Sequence, residues 1–187
     1  AHTMTILTVL AATAALVAMP AQAVILIDAA EVGSQTVFSF EGALDLAGLN
    51  PIGGGNAFEA VGPAFGAILF AGPDFGMDVY GIPSLPVFGA DVTAFGTATG
   101  DEFKIFSGDD VGFAAGYAGE TISGSLTVDA TFAGLGLIPG VYTSTVPTSG
   151  DTIELTIPDP DAVIPLPATA PLLLGALGLF GLLRRRG

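Results

Sequence analysis

Across residues 121–132 apolar and polar side chains alternate without a break. Ile122, Gly124, Leu126, Val128, Ala130 and Phe132 fall on one side, and Ser123, Ser125, Thr127, Asp129 and Thr131 on the other. A period of two belongs to an extended strand with one buried face; a helix with 3.6 residues per turn would scatter the same set around its axis. The phase returns in residues 151–157, with Ile153, Leu155 and Ile157 inward and Thr152, Glu154 and Thr156 outward. Phe38, Phe40, Gly42 and Leu44 repeat it near the start, Phe103 and Ile105 flank Lys104 in a shorter run, and residues 91–100 make a weaker, Thr-rich candidate. Between residues 24 and 156 no stretch has convincing helical amphipathicity, so the pattern predicts an all-β domain.

Glycine and proline supply the turns between these runs. Pro139-Gly140 fits the central positions of a type II turn, because proline presets φ and glycine accepts a positive one. Thr148-Ser149-Gly150-Asp151 is placed to close a hairpin between residues 140–146 and 151–157. Residues 50–55, Gly72-Pro73 and residues 83–86 read as loops. Many short strands separated by such turns predict an antiparallel β-sandwich, with a jelly-roll-like form or a small barrel as the alternatives. The 13 phenylalanines are expected to fill its core, Phe65, Phe70, Phe75, Phe88, Phe95, Phe103 and Phe106 among them.

The two ends differ from this middle. Residues 6–19 carry no charge, Pro20 breaks the run, and Ala21-Gln22-Ala23 offers the small-x-small site that signal peptidase requires. Residues 1–23 therefore read as a signal peptide, although no basic residue precedes the apolar run, and Val24 is the expected first mature residue. At the other end Asp159-Pro160-Asp161 lies in a short acidic linker, residues 159–163, expected to be extended because each X-Pro step disfavours helix. Residues 168–183 are 16 uncharged positions, roughly 24 Å as a helix at 1.5 Å per residue, short of the ~30 Å hydrocarbon core unless residues 163–167 join them. Arg184, Arg185 and Arg186 follow, and the positive-inside rule keeps them cytoplasmic while the domain at 24–158 lies outside.

Ile164-Pro165-Leu166-Pro167-Ala168, then the Leu/Gly-rich segment, then the three arginines, resembles the PEP-CTERM sorting signal in its VPLPA form, with Ile164 in place of the valine. The resemblance covers residues 164–187. It implies an exported protein of a Gram-negative bacterium, held in the inner membrane as a precursor. Exosortase, a membrane-embedded cysteine enzyme, would then cut it near Pro165, Leu166, Pro167 and Ala168, and the product would pass to the cell surface or matrix. A looser resemblance covers residues 116–157, which are similar to the end of many exported PEP-CTERM proteins but lack their Trp-rich stretch; residues 143–146 read Thr-Ser-Thr-Val instead. Such proteins are associated with exopolysaccharide and biofilm, and the resemblance implies no reaction.

Charge narrows the partners further. All 18 acids lie between Asp28 and Asp161, and Lys104 alone opposes them, which leaves that region at −17. With no basic patch to neutralise phosphate, nucleic-acid binding is not expected. The chain has no cysteine and its one histidine is His2, so Ser-His-Asp and Cys-His sites and the usual zinc sites are excluded from the mature chain. Carboxylate pairs at Asp101-Glu102, Asp109-Asp110 and Asp74/Asp78 read as solvated surface rather than as a glycosidase acid and base. The glycine-kinked loops bearing Asp101, Glu102, Asp109 and Asp110 offer the hard oxygen donors that Ca²⁺ prefers, without EF-hand spacing. No catalytic residue is expected. The role expected is a structural or interaction protein, with a carbohydrate-binding module for exopolysaccharide as the alternative.

Overall fold

The computed structural model describes residues 22–54, 58–70, 76–90 and 92–160. Strands make up 48% of them and join into one sheet of 11 strands that curls as a half-barrel. In chain order these are β1 (Val24–Val32), β2 (Gln35–Gly42), β3 (Ala60–Gly62), β4 (Ala67–Leu69), β5 (Met77–Tyr80), β6 (Ala94–Gly100), β7 (Phe103–Phe106), β8 (Asp110–Ala114), β9 (Ile122–Val128), β10 (Gly140–Thr145) and β11 (Thr152–Ile157). Among the described residues helix is limited to a 3-10 turn, Pro63–Phe65, and α1 (Phe132–Leu135). The strands run across the sheet in the order β10-β11-β1-β2-β9-β6-β3-β4-β7-β8-β5.

Strand pairing is antiparallel with one exception. β1 and β11 run parallel, from Val24 opposite Thr152 to Asp28 opposite Thr156. The hairpin β10–β11 explains this: Val146 N–H donates to Asp151 O and Gly150 N–H to Val146 O, and the reversal points β11 the same way as β1. The first and last strands are thus neighbours, and the chain enters and leaves at opposite ends of their pair.

Alternation does what it should in the long strands. Ile25, Ile27 and Ala29 of β1, Phe38 and Phe40 of β2, Ile122, Leu126 and Val128 of β9, and Ile153, Leu155 and Ile157 of β11 are all buried. The curl brings the far half of the sheet onto this face. The Phe40 ring lies 4.5 Å from Phe70 and 5.1 Å from Phe103, Phe103 lies 5.3 Å from Phe113, and Phe113 stacks on Tyr117 at 4.5 Å. Each such ring removed from water stabilises the fold by roughly 1.5–3 kcal/mol. Gly124 sits on the inward phase of β9 because a Cβ there would stand 2.6 Å from the Phe40 ring and 2.6 Å from Thr99 O. The missing side chain makes room for the aromatic cluster.

Several expectations are corrected. The alternating run 121–132 leaves the sheet at Val128, where Thr131 caps α1 by accepting from Gly134 N–H and Glu31 accepts from Phe132 N–H at 2.6 Å. Local capping thus overrides a pattern that continues in sequence. Gly140 opens β10 instead of completing a turn with Pro139. Phe70, Phe88 and Phe103 are fully buried as expected and Phe106 is half-buried, but Phe65 and Phe95 are 51% and 67% exposed; Phe75 lies outside the described residues. Among the described residues no helix is long and apolar enough to cross a membrane, and the segments 1–21 and 161–187, where the leader and tail are expected, lie outside them.

Candidate functional site

Of the residues expected to direct processing, Ala21, Pro165, Leu166, Pro167 and Ala168 lie outside the described residues, as do Arg184, Arg185 and Arg186, expected to fix topology. Ala23 is half-buried and held at the start of β1. Its N–H donates to Asp151 Oδ1 at 2.9 Å, and its carbonyl accepts from Thr152 N–H at 3.2 Å. Asp151 is only 4% exposed, and its second oxygen accepts from Asp45 N–H at 2.6 Å. One buried carboxylate therefore ties together the start of β1, the loop after β2 and the start of β11. Sequence marked Asp151 only as a hairpin residue; its position one step before a strand whose odd positions face inward was the available signal.

The proposed calcium donors do not converge. Asp101 and Glu102 precede β7 and Asp109 and Asp110 follow it, so four strand residues separate the pairs, about 13 Å at 3.3 Å per residue. Asp101 Oδ2 accepts from Ser123 N–H at 2.8 Å, and Asp109 Oδ1 accepts from Ser84 N–H at 3.2 Å. Asp109 adopts φ 67°, a left-handed conformation that Asp tolerates in turns. Glu102 is 6% exposed, and its Oε1 lacks a hydrogen-bond partner. Burial pushes its carboxyl above the ordinary range, and the Lys104 charge pulls the other way. Among the described residues no three His, Cys, Asp or Glu come together as metal ligands. Asp78 accepts from Gly116 N–H at 3.1 Å; Asp74 lies outside the described residues.

The outward face of β10, β11, β1, β2, β9 and β6 is the broad open surface of the molecule. Across it the cross-strand partners run Thr156, Asp28, Ser39, Ser125 and Thr99, and in the next row Thr143, Glu154, Leu26, Glu41 and Ser123. An open depression of about 260 Å³ is lined by Leu26, Asp28, Ser39, Phe40 and Glu41. Thr99 and Ser125 hydroxyls lie 3.1 Å apart. At the start of β6 Phe95 shares the phase of Thr97 and Thr99, and it meets Phe58 edge-on at 6.2 Å. Phe58 is 77% exposed. The three tyrosines take no part in this face: Tyr80 and Tyr117 are buried, and Tyr142 is half-buried against Phe88 at 6.0 Å. Burial raises both Tyr80 and Tyr117 above the usual phenol range.

No family model, no curated protein and no solved structure matches this chain.

Proposed function

We propose that this chain is an exported structural or interaction protein of a Gram-negative cell surface or extracellular matrix, sorted and cut through its C-terminal signal by exosortase and associated with exopolysaccharide. The observation that carries it is the order of three parts in residues 164–187: the Pro-Leu-Pro-Ala entry, the uncharged segment and the arginine cluster. In this reading signal peptidase removes the leader at Ala21-Gln22-Ala23, a C-terminal transmembrane helix holds the precursor, and the curled sheet is an antiparallel sandwich-like cargo with no catalytic role. Among the described residues the cargo's strands fall between Val24 and Ile157, and the motif at 165–168 follows them in sequence. Intact-mass measurement on the protein from its native host tests the reading. Loss of residues C-terminal to the 165–168 region is expected; a chain still ending in Arg184-Arg185-Arg186-Gly187 overturns it.

A second reading, a carbohydrate-binding module for exopolysaccharide, is favoured by the exposed Phe58–Phe95 pair beside the hydroxyl-bearing face of β6 and β9. Aromatic edges and faces pack on the C–H surface of a sugar ring while neighbouring hydroxyls and carboxylates bond its oxygens. The absence of basic groups on this face points to a neutral glycan, or to an acidic one bridged by Ca²⁺. A glycan array run with and without Ca²⁺ is expected to show binding that Phe95→Ala abolishes; no signal in either condition removes this reading.

A further inference from the structure

The two margins of the sheet are finished differently. At the β5 margin Ile52 N–H donates to Val79 O at 2.7 Å and Val79 N–H donates to Gly53 O at 3.0 Å, so a loop segment closes the strand. At the other margin β10 pairs with β11 alone, and among the described residues no backbone group of Gly140–Thr145 bonds on its outer side. In an antiparallel ladder every second residue turns its N–H and C=O away from the partner strand, so β10 presents a row of open donors and acceptors. Proteins ordinarily blunt such an edge with charge, proline or a bulge. The six residues Gly-Val-Tyr-Thr-Ser-Thr contain no charge and no proline. Ile138 and Val141 stand 53% and 60% exposed beside them, and Val87, 59% exposed, precedes Phe88, whose carbonyl accepts from Ile138 N–H.

We propose that β10 is the surface through which two copies of this chain pair, edge to edge and antiparallel about a two-fold axis, to make one continuous sheet. Charge selects this partner and this place. Residues 130–150 are 21 consecutive uncharged positions, the longest such run between Asp28 and Asp161, so two strongly acidic copies meet there with least repulsion. An axis through Thr143 sets Thr143 opposite its copy, Val141 opposite Thr145 and Tyr142 opposite Ser144, with no like-charge pair. Glu154, opposite Thr143 on β11, then faces its copy across three strand spacings, about 14 Å, beyond the ~8 Å screening length at physiological salt. With the β5 margin closed, the contact is isologous and ends at a dimer, not a filament. A six-residue edge lies at the small end of interface sizes, below about 1,200 Å², which implies a weak, concentration-dependent pair.

The cysteine-free chain makes a clean test, done on the full chain in mild detergent. Thr143→Cys is expected to give a disulfide-linked dimer on mild oxidation, while Ser39→Cys, on the same face but away from the edge, stays monomeric. Mixing Val141→Cys with Thr145→Cys is expected to give the cross-linked pair in high yield, since those positions oppose each other. In sedimentation equilibrium Thr143→Glu, which sets two carboxylates face to face on the axis, is expected to weaken association at least tenfold with unchanged circular dichroism, and added salt to tighten the wild-type pair. Cross-linking of Thr143→Cys no greater than that of Ser39→Cys overturns the proposal, as does a Thr143→Glu variant that associates like the wild type. Coverage of β10 by the chain's own tail gives no intermolecular disulfide and is overturned by the same measurement's positive result.

Discussion

The sheet has two halves built on different terms. In β11, β1, β2 and β9, strands of six to nine residues bury one face and turn the other outward, and in β10 and β6, of six and seven residues, the inner face is mostly half-buried. In β3, β4, β7, β8 and β5, strands of three to five residues are covered on both sides: Phe103, Lys104 and Ile105 are consecutive and almost wholly buried, as are Val111, Gly112 and Phe113. The long half can place hydroxyls and carboxylates on its open face at no desolvation cost, and it therefore carries the surfaces on which binding can occur. The short half buries Lys104 within β7, and Glu102 just before it, along with its apolar side chains. The short strands are thereby the more deeply buried, and the long ones carry the open surface.

The largest expected effect follows from that division. Phe103 touches rings from β2, from the end of β4 and from β8, so Phe103→Ala is expected to cost about 3–5 kcal/mol in urea denaturation through lost burial and a residual cavity. Val37→Ala, on the half-exposed phase of β2, is expected to cost no more than about 1 kcal/mol. Equal losses would break the contrast between the halves.

Asp151 is the exception within the long half, a nearly buried carboxylate whose two oxygens serve backbone donors from two other segments. In the full chain, which still carries Ala23, Asp151→Ala leaves the N–H groups of Ala23 and Asp45 without their acceptor. Its expected cost is about 3 kcal/mol, from a penalty of roughly 1–3 kcal/mol per buried unsatisfied group. Asp151→Asn, which keeps one acceptor oxygen, is expected to lose about half as much. A melting temperature unchanged by Asp151→Ala would show that the start of β1 does not depend on this contact.

The same division decides what the sequence discloses. Strands β2, β6, β9 and β11 were readable because one wet face imposes alternation, and the β10–β11 hairpin was readable from Gly150 and its neighbours. Strands β3, β4, β5 and β8 left no such trace: Ala60-Val61-Gly62 and Val111-Gly112-Phe113 are buried on both faces, where periodicity carries no information. The exposure of Phe95 was legible in its phase, shared with Thr97 and Thr99, but aromatic character argued for the core and won. Of the proposed calcium loops, sequence supplied the residue types and not the distance, which β7 sets by separating them.

Glu102 probes the short half by charge. Its carboxyl is raised by burial, so the folded chain keeps a proton at pH values where the unfolded chain has lost it. Stability from this group is full below the ordinary glutamate range, near pH 4.3, and falls as pH rises through the raised value. Glu102→Gln removes that slope. At neutral pH the variant is expected to be more stable than the wild type, by on the order of 1 kcal/mol, and the advantage should vanish in acid. A loss at neutral pH would mean that attraction to Lys104 outweighs desolvation.

The smallest effect on folding is expected where the open face ends. Phe95 is 67% exposed and touches Phe58 edge-on, so Phe95→Ala should change the denaturation midpoint by no more than about 0.5 kcal/mol, as for other surface substitutions. Its packing partner is itself exposed, so no cavity opens when the ring is removed. A loss of several kcal/mol would place Phe95 in the supporting core and return the aromatic pair to structure. A negligible loss leaves two exposed rings that contribute little to the fold and stay available to the binding reading proposed above.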